Sequence, residues 1–248
     1  MVVTLLRQVS SNADLKRLKN EPPSQGEAYN PTDVEHLANI IPHGAWVAPS
    51  LAALVFMVYL AASDLHLTVV IIYGLALIAL FSVSTIFHFI SYTGWLRNWK
   101  NFFHIGDRAV IHVFIASSYT PWLILKEFHS WAEEVLTVVW VLAVCGILYQ
   151  YLFHEQYKWL EIVLYLVIGV CPSIIIMDMK ESSGLYELSL GGITYMLGVL
   201  FFKSDGVIPF AHAIWHCFVF VGALFHYYAV CVYLLGAPVT AGVGDKTP

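Results

Sequence analysis

Charge is scarce in this chain. Asp, Glu, Lys and Arg make up 12% of its 248 residues, against about 25% in an average soluble domain. Hydrophobic residues make up 59%, and mean hydropathy is +0.72. One soluble domain of this length cannot hide that much apolar surface, so lipid is the solvent for most of the chain. The formal net charge is −5. With no basic stripe, a nucleic-acid partner is excluded. Cysteine is also scarce: Cys145, Cys171, Cys217 and Cys231 form no CxxC pair, and all lie in apolar segments. They make no disulfide framework and read as small buried apolar side chains. Nor does the start read as a secretory signal. Residues 1–6 are apolar but too short, and Arg7, Lys16, Arg17 and Lys19 follow them rather than precede them.

What the chain has in quantity is long apolar runs. A membrane helix needs about 20 mostly apolar residues. Seven segments qualify: 43–62, 68–90, 104–124, 134–153, 159–178, 187–203 and 209–235. Gly191, Gly192 and Gly198 lower the helix propensity of the sixth, but small residues also let membrane helices approach closely. The expected fold is an all-α membrane protein, a seven-transmembrane helix bundle. Residues 1–30 read as a polar flexible cytoplasmic tail, 31–236 as the membrane domain and 237–248 as a short outer tail. Thr32 and Glu35 fit a capping box and predict a short amphipathic helix leading into the first span. Positive residues favour the cytoplasmic side. With the N-terminus inside, nine of the twelve Lys and Arg fall on the inner side, leaving Lys126, Lys180 and Lys246 outside. A cytoplasmic N-terminus is therefore expected.

The informative residues are the polar groups inside the spans. His212 and His216 stand one helical turn apart in the seventh span, so their imidazoles share a face. Such a pair in lipid must face a protein interior, a water-filled cavity or a metal. Ser84/His88 in the second span and Asp107 in the third offer matching groups. With seven spans, His88, Asp107 and His212 each lie roughly 10–14 Å in from the inner loop charges, counting 1.5 Å per residue. Catalytic zinc commonly takes three protein ligands and keeps a position for water, and His88, His212 and His216 supply three nitrogens. Asp107 could bind the metal, but a hydrogen bond to its water fits better. Ser84 can reach that water or a substrate oxygen. Bound zinc lowers the pKa of water to about 7, and a neighbouring carboxylate can then accept a proton. A proton relay and a buried Asp–His pair are the alternatives.

Other polar residues say less. Glu35, Asn39 and His43 share a helix face that can cap the inner mouth, where packing explains them as well as function does. His226 lies too far along its helix for the same metal, and His104 and His112 read as structural. Pro121 is expected to kink or end the third span. Trp95, Trp99 and Trp122 read as interfacial anchors.

The motifs Glu35-x3-Asn39-x3-His43, Ser84-x3-His88, Gly106-Asp107-Arg108 and His212-x3-His216 resemble the progestin and adipoQ receptor family, related to the bacterial hemolysin III proteins. The run from Phe202 to His216 is most similar to its monocyte-to-macrophage differentiation factor branch, and the resemblance covers about residues 29–235. Pro42 departs from the family, which usually has Thr there. The resemblance implies seven helices, a cytoplasmic N-terminus and zinc near the cytoplasmic face. Ligation would fall to His88, His212 and His216, with supporting roles for Asp107 and Ser84. It also implies kinase-pathway signalling from endomembranes (Golgi, late endosome, lysosome), with the plasma membrane as the other location, and amide hydrolysis of the kind found in adiponectin receptors and alkaline ceramidases.

Two functions follow as expectations. One is a zinc-binding, receptor-like protein that modulates kinase or small-GTPase signalling through cytoplasmic partners. The other is a zinc-dependent hydrolase of a lipid amide such as ceramide, with membrane lipids as its surroundings and substrate. A G-protein-coupled receptor is disfavoured, because Asp107-Arg108 starts the third span instead of ending it. A transporter or proton channel stays open as an alternative, with no continuous chain of ionisable groups traced across the bundle.

Overall fold

Lipid offers no partner for backbone N–H and C=O groups, so spanning segments must satisfy them internally as helices. The computed structural model describes residues 18–24 and 26–236, and it is built from helices joined by turns. These are α1 (Asp33–Leu60), α2 (Asp64–Thr93), α3 (Lys100–Leu125, after a 3-10 turn at Arg97–Trp99), α4 (Ala132–Phe153), α5 (Lys158–Val170), α6 (Ser173–Ile176), α7 (Leu185–Phe202) and α8 (Ala211–Ala229, ending in a π turn at Val230–Leu234). Counting α5 and α6 as one, seven of them are long and apolar enough to cross a membrane. Among the described residues no strand forms; one antiparallel bridge joins Phe128 to Met179 between two loops.

The capping box is present: the Thr32 hydroxyl accepts from the Glu35 N–H, and the Glu35 carboxylate accepts from the Thr32 N–H. The helix it starts is not a separate amphipathic one. It runs on through Pro42 and Pro49 to Leu60 as the first three turns of the first span. Pro121 likewise sits inside α3, which continues to Leu125. The expected tail, 1–30, is described only in part. Residues 1–17, 25 and 237–248 lie outside the described residues, but Lys19, Glu27 and Tyr29 each hold the chain in place. Lys19 Nζ donates to the Gly206 carbonyl at 2.6 Å, Lys158 donates to the Glu27 carbonyl, and Tyr29 donates to Glu35 at 2.8 Å. Burial raises the pKa of the Tyr29 hydroxyl above the ordinary tyrosine range, which keeps it protonated and a donor.

Helices α1 to α4 pack in sequence order, and α8 returns between α7 and α1. The core lies between α1, α2, α3 and α8, around Met57, Tyr73, Leu77, Phe81, Phe114 and Val219. Apolar side chains elsewhere face outwards, as lipid requires. Three cysteines expected to be buried, Cys145, Cys171 and Cys217, are on that outward surface; only Cys231 is buried. A thiol is apolar enough to face acyl chains. Trp95 and Trp99 are exposed, but Trp122 is fully buried, packed close over Gly184, and is no interfacial anchor.

Two of the glycines that weakened the sixth span, Gly191 and Gly198, have a structural reason. A Cβ on Gly198 would stand 2.7 Å from the Phe218 Cβ and 2.8 Å from the Trp215 ring; one on Gly191 would meet the His226 ring. Helix α7 therefore reaches α8 only by giving up side chains, the membrane route to close packing. Gly198→Ala is expected to cost about 1–3 kcal/mol by overpacking. It should lower the unfolding temperature in detergent, whereas Gly192→Ala, at a position with open space beside it, should not.

Candidate metal centre

Helix α2 carries Ser84 and His88 towards the proximal end of the bundle, where α1 begins, and α8 starts there with His212 and His216. One nitrogen each of His88, His212 and His216 can be chosen so that all lie within 4.8 Å of one another. Their ring centroids are 5.2 Å (His88–His212), 5.2 Å (His88–His216) and 4.7 Å (His212–His216) apart. His88 is 2% exposed and His216 1%. The sequence-predicted histidines thus meet at one point between α2 and α8.

The hydrogen bonding around them fits a metal. Both ring nitrogens of His88 are buried without a hydrogen-bond partner. Buried polar groups are normally paired, so a ring nitrogen of His88 is free to take an ion. His216 Nδ1 is 3.1 Å from the Asn39 carbonyl oxygen. A carbonyl only accepts, so Nδ1 carries the hydrogen and Nε2 keeps its lone pair for a metal. Pro42 supplies no N–H to this turn of α1, next to where the Asn39 oxygen turns to His216. His43 stacks on His216 with centroids 3.8 Å apart, and both its nitrogens are also unpartnered. Asn39 and His43, which packing alone could have explained, therefore hold one of the three imidazoles. Their spacing on α1 put both on one face, but the contact of Asn39 is made by its backbone carbonyl, which that spacing does not show.

Beside the histidines lies a cavity bordered by His43, Asp107, Arg108, Phe202, His212 and His216, among others. About 20 Å³ of it is open to a water molecule, enough for one water. Asp107 borders this space. Ser84 is 2% exposed with its hydroxyl unpartnered, one turn from His88. The expected common depth is corrected for His212. Counting 1.5 Å per residue assumed helix from residue 205 onwards, but 203–210 fold as turns and α8 begins only at Ala211. Asp205 therefore comes back to within 3.3 Å of His212 Nδ1.

A second cluster was not expected. Arg108, counted from sequence as an inner charge, lies within α3 with its side chain 14% exposed. It pairs with Glu155 at 2.6 Å and Glu161 at 2.5 Å. Lys158 also pairs with Glu155, and Tyr165 donates to Glu161. His104 joins His154 at 3.0 Å and Glu155 at 3.4 Å. His104, His154 and Glu155 are close enough for a metal. Two cations already balance the carboxylate, however, and the histidines are paired with each other, so an ion there would have to displace existing contacts. The available signal was Glu161 inside the fifth span, since a charge in lipid must find a partner. His112, buried against Tyr165 and Gly146, and His226, beside Tyr195, stay away from the triad, as expected.

The comparisons with known proteins agree with this architecture. A family profile described as "Haemolysin-III related" matches residues 33–227. The chain belongs to that family. It is 42% identical over 222 residues to the monocyte to macrophage differentiation factor of Homo sapiens, covering 89% of this chain and 93% of the relative. It is 34% identical over 210 residues to the hemolysin-3 homolog of Bacillus subtilis, covering 82% and 96%. With the Bacillus cereus hemolysin-3 the identity is 30% over 207 residues, covering 81% and 92%. As a haemolysin-III-related protein with seven apolar helices, the chain is a multi-pass integral membrane protein.

The second cluster generates a pH prediction. Burial, then the charge of Arg108, holds His154 down to about 4. The fold thus favours neutral His154, and its share of stability is complete above about 6.5 and lost as the pH falls towards 4. The unfolding temperature in detergent should drop between pH 7 and pH 5, and His154→Gln should flatten that drop. An equal slope in both proteins would contradict the assignment.

Proposed function

We propose that this haemolysin-III-related protein is a receptor-like membrane protein braced by one zinc ion, acting on kinase or small-GTPase signalling through its inner loops. The observation that carries the reading is the meeting of three imidazole nitrogens from α2 and α8 within 4.8 Å, beside a space for one water. Three neutral nitrogen donors with one position left for water are a familiar zinc donor set. An ion held there would tie the α2 end to the α8 start, two elements of the core, and so couple the proximal loops to the bundle. The named relative, a differentiation factor, supports a signalling role. The positive residues favour a cytoplasmic proximal end, and endomembranes are the proposed location.

The second reading, a hydrolase of a lipid amide, is favoured by Asp107 on the cavity wall and by Ser84 one turn from His88. Bound zinc would supply a Lewis acid able to activate water near neutral pH. Asp107 would accept a proton from that water and pass it to the leaving amine. Ser84 would donate a hydrogen bond to the substrate oxygen. The space now open beside the histidines is too small for an acyl chain, so this chemistry needs a wider cavity than the structure holds, and signalling remains the first reading.

Purified wild-type protein should carry about one zinc per chain, and His212→Ala/His216→Ala should lose it. Asp107→Ala should keep both the metal and signalling. Metal-free wild type after growth with zinc contradicts the proposal, and zinc-dependent release of fatty acid from ceramide by wild type, abolished in Asp107→Ala, would put the hydrolase first. For orientation, a glycan acceptor fused to the N-terminus should stay unmodified while one at the C-terminus is glycosylated; the reverse pattern contradicts a cytoplasmic proximal end.

A further inference from the structure

We infer that Asp205 is a positioning residue of the metal centre, acting through His212; the inference rests on the proposal that the three histidines bind zinc. Asp205 lies on the turn between α7 and α8, outside both helices and seven residues before its partner. Its Oδ2 is 3.3 Å from His212 Nδ1. A carboxylate only accepts, so His212 holds its hydrogen on Nδ1 and offers Nε2 to the ion. The carbonyl of Asn39 does the same for His216. Ligating histidines generally have such a partner, and a carboxylate also raises the basicity of the ring.

Charge gives Asp205 a second role. Three neutral imidazoles leave a dication uncompensated in a low-dielectric site. Arg108 adds positive charge at the cavity wall, although Glu155 and Glu161 balance it. Asp107, on the cavity wall, and Asp205, against His212, are carboxylates placed to offset the ion. The side chain of Asp205 is 20% exposed, and its Oδ1 is buried with no hydrogen-bond partner.

The turn that presents Asp205 is firmly held. The N–H groups of Val207 and Ile208 both donate to the Ser204 carbonyl at 2.9 Å. Gly206 has φ +76°, where an L side chain is strained, and a Cβ there would stand 2.6 Å from the Pro22 backbone. Lys19 Nζ donates to the Gly206 carbonyl. The segment before α1 thus lies across this turn and keeps Asp205 against His212.

The test is a cycle of four proteins in detergent: wild type, Asp205→Ala, His212→Ala and the double variant. Each is stripped of metal and titrated with zinc against a chromophoric chelator. Removing an outer partner of a ligating histidine typically weakens binding about 10- to 100-fold, and Asp205→Ala should do so. Asp205→Asn, which keeps an acceptor oxygen without the charge, should fall between it and wild type. In the His212→Ala background, Asp205→Ala should cost clearly less than in wild type, because the part of its effect that passes through that ring is gone and only the charge effect is left. An unchanged affinity in Asp205→Ala, or the same loss in both backgrounds, overturns the inference while leaving the zinc proposal intact. Wild type that takes up no zinc overturns both.

Discussion

Everything in this bundle follows from the cost of an unpaired polar group in lipid. Most of the chain is apolar and faces outwards, so the few imidazoles, carboxylates and hydroxyls within the spans must find each other or an ion. They do so in two places near the proximal end. One is the histidine triad between α2 and α8, with Asp107 on the adjoining cavity wall. The other is the ionic cluster of Arg108, Glu155, Glu161, His104 and His154. The two differ in one respect that sets their roles apart. The ionic cluster pairs its charges internally, whereas His88 has two buried nitrogens with no partner in the protein. The ionic cluster is a lock; the histidine triad has a nitrogen left free for a ligand.

Arg108 joins them. It borders the cavity beside His212 and His216, holds both carboxylates of the cluster, and lies 5.5 Å over the ring of Phe202 at the end of α7. Helix α3 therefore links the histidine cavity to the turn between α4 and α5, while the segment before α1 contacts both the α7–α8 turn and Lys158. An ion bound at the triad would reach three of the proximal connections through these contacts. That is the physical basis of the receptor-like role proposed for this haemolysin-III-related chain.

The sequence made the spans legible because lipid imposes a length and a composition, and the triad was legible because α2 and α8 both reach the proximal end only when all seven spans are counted. What stayed hidden depended on turns and packing. Asp205 could not be brought to His212 by counting residues, since that count took the turns at 203–210 for helix. Asn39 looked like a packing residue because its useful atom is a backbone carbonyl, which no side-chain pattern reveals. Trp122 carried the signature of an interfacial aromatic, yet the bundle needed its bulk over Gly184. Gly191 and Gly198 of α7 counted against a helix in isolation and proved to be the condition for its contact with α8.

Zinc-edge X-ray absorption on the purified protein tests the central claim most directly. A first shell of three imidazole nitrogens at about 2.0 Å with one further light atom, losing an imidazole in His88→Ala, is the result the triad predicts. A shell containing sulfur, or one that His88→Ala leaves unchanged, would contradict it.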